Sequence, residues 1–107
     1  VAKGHSDVAK LLLAQGAAVN GTDKSGCTPL HCAAHSGHYC AADLLLANGA
    51  TVQVYDQRGA TPLHKAVARG HVSMAELLLE QGASVDATDE KGATPLHKAV
   101  AKGHGNV

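Results

Sequence analysis

The segment Gly59-Ala60-Thr61-Pro62-Leu63-His64-Lys65-Ala66-Val67-Ala68-Arg69-Gly70-His71 recurs at 92–104 with one change, Arg69 to Lys102. A looser copy occupies 26–38, where Gly26, Thr28-Pro29-Leu30-His31, Ala33 and Gly37-His38 keep their places. Thr-Pro-Leu-His thus stands at 28–31, 61–64 and 94–97, 33 residues apart each time. The same period carries Leu-Leu-Leu at 11–13, 44–46 and 77–79, Gly-Ala at 16–17, 49–50 and 82–83, and an acid at Asp23, Asp56 and Asp89. A fixed period without insertion or deletion marks a protein built by stacking one small unit on the next.

The unit 56–88 can be built from its residues. Asp56-Gln57-Arg58-Gly59 suits a tight turn, with Asp favoured at its first position and Gly at its fourth. Thr61 then caps a helix with its hydroxyl, and Pro62 takes the first helical position, where no N–H is needed. That helix runs to about Arg69, and Gly70 ends it in the left-handed conformation. A second helix spans about 71–80, with Met74, Ala75, Leu78 and Leu79 expected on its buried face. Gly82 stops it, and 84–88 leads in extended form to the next turn. Neither helix reaches the roughly 12–15 residues at which an isolated helix becomes marginal. Stability has to come from neighbouring repeats, which Ala33, Ala66 and Ala99 allow to approach closely.

A period of 33 residues with T-P-L-H-x-A inside it resembles the ankyrin repeat over the whole chain. The resemblance implies an all-α solenoid of stacked helix-turn-helix units with projecting β-hairpin-like finger turns. It also implies a non-enzymatic module whose fingers and first helices line a concave, partner-binding groove, with the T-P-L-H histidine bridging Thr and neighbouring backbone. The chain divides as one array, 1–107, into a truncated unit 1–22, repeats 23–55 and 56–88, and a second truncated unit 89–107. Lacking polar caps, it is expected to be an internal piece of a longer array. Its two ends, through Val8, Leu12 and Leu13 and through Leu96, Ala99 and Val100, are expected to expose complementary apolar faces that favour head-to-tail self-association.

Composition narrows the function. Nine basic and nine acidic residues cancel, and Tyr39 and Tyr55 are the only aromatics besides histidine. The zero net charge argues against a dedicated nucleic-acid binder, and no base-stacking platform is provided. Apolar runs last only a few residues, so neither a membrane span nor direct membrane contact is expected. Three cysteines clustered at 27–40 form no disulfide framework, and a reducing cytoplasmic or nuclear setting is the simpler expectation. Every glycine is used by a turn or helix stop, and no phosphate loop, nucleophile elbow or carboxylate pair stands apart from the repeat. No catalytic residue and no cofactor is expected.

Seven of the eight histidines lie on repeat columns and read as structural. The unit 23–55 is the exception in its chemistry: it carries Cys27, Cys32, His35 and Cys40 where the next unit has Ala60, Lys65, Ala68 and Ser73. Zinc would need about four such ligands converging tetrahedrally. The alternative reading of the chain is therefore a regulatory zinc or redox site at Cys27, Cys32 and His35, or else a mechanical spacer in a long array.

Subtracting the repeat pattern leaves the variable surface. Tyr55, Gln57, Arg58, Glu90 and Lys91 fall on finger turns, and His35, Lys65, Arg69, Lys98 and Lys102 on first helices. These ten are the candidate partner-binding residues. Lys3, Lys65, Arg69, Lys98 and Lys102 belong to first helices and Asp7, Asp43, Glu76 and Glu80 to second helices, with Lys10 the exception, so a basic groove facing an acidic protein or peptide is expected.

Overall fold

A computed structural model describes residues 11–16 and 18–101, of which residues 11–14 are helical. Five helices follow: α1 (Pro29–Ser36), α2 (Tyr39–Ala47), α3 (Pro62–Ala68), α4 (Val72–Glu80) and α5 (Pro95–Ala101). The first helices α1, α3 and α5 pack in a row, α2 and α4 pack in a second row behind them, and each pair closes on itself. Among the described residues no strand forms. The fingers are turns, closed at Asp23–Cys27 by Asp23 N–H to Cys27 O and Gly26 N–H to Asp23 O, both 3.0 Å. Neighbouring fingers are joined by Gln57 N–H to Ser25 O (2.9 Å) and Glu90 N–H to Arg58 O (2.8 Å).

The Thr-Pro-Leu-His motif starts each first helix by a reciprocal cap. Thr28 Oγ1 accepts from His31 N–H, and the His31 ring reaches back so that Nδ1 accepts from Thr28 N–H at 3.0 Å. With Nδ1 an acceptor, the proton sits on Nε2, which donates to Ala60 O of the next finger at 2.8 Å. His64 repeats this with Thr61 and Ala93 O, again at 2.8 Å. One imidazole therefore satisfies a helix N-terminus and bonds one repeat to the next. Both rings are only 1 % exposed.

The second joint lies at the helix turn. Gly37 ends α1 at φ 73°, and a Cβ there would meet the His71 ring at 2.7 Å. His71 Nε2 lies 3.1 Å from His35 O, so the ring of one repeat sits on the turn of the repeat before. At the finger, Gly59 has φ 76° and a Cβ there would lie 2.9 Å from Glu90 N. Both glycines serve left-handed backbone and close stacking together. The stretch after α4 departs from the expected extended lead-in: it turns at 85–86, where Ser84 Oγ accepts from Asp86 N–H at 3.2 Å, while Gln53 Oε1 accepts from Ser84 N–H at 3.0 Å. Asn20 pins the preceding connection in the same way, to Gly49 O and Thr51 N–H.

Burial depends on stacking more than on residue type. Leu30, Leu63 and Leu96 occupy one column, yet their exposures are 0 %, 2 % and 70 %. The first two are covered from both sides, and fully burying such a side chain is worth about 1.5–3 kcal/mol. On α4 the buried residues are Met74, Ala75, Leu77 and Leu78, whereas Leu79, expected inside, is exposed. Leu79 rims an open apolar cleft with Leu63, Val67, Val85 and Leu96. Its counterpart Leu46 packs partly buried against the core, since another repeat stacks on it.

The His31 bridge makes stability depend on pH. Burial holds its pKa below the ordinary value of 6.5, against the opposing pull of the Ala60 carbonyl and Asp56. Below that value the unfolded ring takes up a proton that the folded ring resists, so the stabilisation is complete above pH 6.5 and is lost as pH falls through the folded pKa. Urea titrations should show a midpoint that drops between about pH 7 and about pH 5, and less so in His31→Asn. Thr61→Ala should cost about 1–2 kcal/mol in the same assay.

Candidate functional site

Each finger is shaped by an aspartate. Asp56 Oδ1 accepts from Arg58 N–H (2.8 Å) and Ala60 N–H (2.9 Å), folding the turn around its own side chain. Its other oxygen, Oδ2, meets Lys65 Nζ at 3.0 Å from α3. Asp89 does the same: Oδ1 takes Lys91 N–H and Ala93 N–H, and Oδ2 meets Lys98 Nζ of α5 at 3.2 Å. Burial raises the Asp56 carboxyl, but the Ala60 N–H, Lys65 and the Arg58 N–H outweigh it and hold the group below its ordinary value. For Asp89 the Ala93 N–H leads, burial opposes, and Lys98 adds to the Lys91 N–H to bring the pKa to about 2. Both aspartates are therefore anionic, and each neutralises a lysine that the sequence offered as partner-binding.

Between these two fingers and their helices lies a concave cleft of about 630 Å³. Of the candidate residues, His35, Arg58, Lys65, Arg69, Glu90, Lys91 and Lys98 line it, together with Asp56 and Asp89. Tyr55 and Gln57 stand outside. The Gln57 carboxamide donates to Lys24 O of the preceding finger at 2.6 Å, and the Tyr55 hydroxyl accepts from the Gln53 amide at 3.0 Å on the exposed flank. Lys102 lies outside the described residues. With Lys65 and Lys98 paired, Arg58, Arg69 and Lys91 remain, and no carboxylate of the described residues comes within ion-pair distance of them. The excess of positive charge registers on His35. Burial first, then Arg69, Lys65 and His71, hold its pKa below the ordinary value. The carboxylates Glu76 and Glu80 of α4 flank a separate surface cleft with Tyr39 and Ser73.

The cysteine-bearing unit is differently built. Cys27, half-buried, points its thiol toward Asp56 Oδ2 at 3.9 Å, while Cys32 and Cys40 are exposed on α1 and α2. Burial raises the Cys27 pKa, Lys65 opposes, and Asp23 and Asp56 add to the rise, which keeps it a thiol of low reactivity. Among the described residues no three His, Cys, Asp or Glu side chains converge as metal ligands. The set Cys27, Cys32 and His35 is thus not drawn into one site.

The aspartates are what residue-by-residue reading of the groove overlooked. A signal was present: Asp and Lys recur nine positions apart at 56/65 and 89/98, on the same period as the caps.

Capped helix pairs, bridging histidines and a row of fingers over a concave face define a repeat solenoid. Family comparison agrees: a model described as ankyrin repeats (three copies) matches residues 1–56 and 42–107. The chain belongs to the ankyrin-repeat family. A search of curated proteins returns no match. Ankyrin repeats are in general non-enzymatic protein-interaction modules. No helix among the described residues is long and apolar enough to cross a membrane.

Lys65→Met should release Asp56 from its cation. A carboxyl-detected NMR titration is expected to show the Asp56 pKa rising in this variant while Asp89 stays at about 2. Because the Asp56 side chain is only 4 % exposed, leaving its carboxylate without the lysine should cost about 1–3 kcal/mol of folding stability, more than a surface pair would.

Proposed function

We propose that this chain binds a partner protein through the concave cleft, gripping an acidic, extended segment with Arg58, Arg69 and Lys91. The observation that carries the reading is the charge balance inside the cleft. Two lysines are consumed by Asp56 and Asp89, and three further cations face only Glu90. Arginine is favoured at such contacts because its planar fork meets a carboxylate through two hydrogen bonds. Glu90 and Lys91, side by side on one finger, fix which part of the segment can approach there. His35, in the shadow of the same cations, is an uncharged hydrogen-bonding neighbour for the segment. Tyr55, exposed on the outer flank of its finger, extends the contact surface when the partner is larger than the cleft.

Within a larger protein the module serves as a scaffold or adaptor element. The free thiols of Cys27, Cys32 and Cys40 suit a reducing intracellular compartment. The zinc alternative has no ligand group to support it among the described residues.

Selection from a displayed library of random linear peptides tests the proposal. Recovered peptides are expected to share acidic residues and to bind more weakly as salt rises past the point where charges are screened over about 8 Å. Arg58→Ala/Arg69→Ala should stay folded and lose at least roughly 2 kcal/mol, about thirtyfold in Kd. Binders indifferent to both arginines, or no binder at all, would leave the spacer role in place.

A further inference from the structure

The finger aspartates form a ladder with one rung missing its cation. Asp23 is built like Asp56 and Asp89: its Oδ1 accepts from Ser25 N–H at 2.8 Å and Cys27 N–H at 3.0 Å. In the two following repeats the second carboxylate oxygen is met by a lysine nine residues on, at 3.0 and 3.2 Å. In the first repeat that position is Cys32, a much shorter side chain with no cationic head. No cation among the described residues pairs with Asp23, and both Asp23 and Cys32 are exposed. The turn thus fixes the Asp23 carboxylate as its sisters are fixed, exposed to solvent and without the lysine that meets Asp56 and Asp89.

We propose that the bound partner supplies the missing cation: a lysine or arginine of the segment in the groove pairs with Asp23 over Cys32. The proposal rests on the groove-binding function above and adds a direction to it. Asp23 and the cations Arg58 and Arg69 belong to adjacent repeats, which lie about 10 Å apart, the usual spacing of packed helices. An extended or polyproline-type segment advances about 3 Å per residue. The partner motif is therefore a basic residue followed or preceded, about three positions away, by an acidic one. The opposite orientation of the same segment would set its acid against Asp23 and its base against Arg58 and Arg69, so only one polarity of the chain fits.

The test uses the full 107-residue chain and fluorescein-labelled peptides recovered from the displayed linear library, read by fluorescence anisotropy. Cys32→Lys supplies the cation from the protein itself, as Lys65 does in the next repeat. Asp23→Asn removes the charge while leaving an oxygen for the Ser25 and Cys27 amides. Each is expected to weaken a peptide carrying the basic residue about fivefold, the upper range for an exposed ion pair. Replacing that residue by Gln in the peptide should cost the same on the wild-type protein and nothing further on either variant. Cys32→Ser, which leaves the rung empty, should bind like wild type. Unchanged or tighter binding by Cys32→Lys and Asp23→Asn, with Arg69→Ala still impaired, overturns this inference and leaves the groove function standing. Peptides indifferent to Arg58 and Arg69 as well as to Asp23 overturn both.

Discussion

The fold hangs on an imidazole that bonds in two directions. His31 closes the cap of its own helix through Nδ1 and holds the next finger through Nε2, and His64 does the same one repeat later. A helix of seven or eight residues has too few internal hydrogen bonds to offset its own ordering. Here the residue that starts the helix also fixes its neighbour, so local and inter-repeat order appear together. The tautomer follows from the same network: a ring accepting from the Thr amide has its proton only on the side facing the next carbonyl. Burial of the ring, in turn, excludes the water that would compete for that carbonyl.

This coupling places the groove. Once successive fingers are tied to successive caps, the side chains following each histidine project to the same side as the finger aspartates. Lys65 and Lys98 then meet Asp56 and Asp89, and what is left uncompensated is decided by positions the repeat does not dictate. The internal pairs have a second effect: they keep the constant part of the groove close to neutral. On the proposed function, a partner would be sorted by Arg58, Arg69, Glu90, Lys91 and the empty rung at Asp23, not by the scaffold that all repeats share.

Much of the architecture was legible in the sequence because the physics of a capped turn is local. Thr-Pro-Leu-His names its cap, its first helical residue and its apolar contact within four positions, and a strict period then repeats the result. The buried face of α4 was less legible. Leu77, Leu78 and Leu79 offer three equal candidates, and only the packing of adjacent repeats chooses the first two. Among the candidate binding residues, those on first helices were easier to place than those on fingers. A helix fixes where Lys65 and Lys98 point, whereas Gln57 and Tyr55 depend on hydrogen bonds made by neighbouring turns. The pairing of Lys65 with Asp56 escaped for a different reason: each residue was assigned to its own column, and the contact joins two columns.

The finger-to-finger bonds give the array a mechanical character. Each joint between repeats is crossed by a backbone bond at the finger, Gln57 to Ser25 or Glu90 to Arg58, and by a histidine bond beside it. At the joint between 23–55 and 56–88, side-chain bonds from Gln57 to Lys24 O, His71 to His35 O and Ser84 to Gln53 reinforce them. The cohesion of the array along its axis is thus concentrated at its joints, where every repeat is tied to the next by bonds that its own helix pair does not supply.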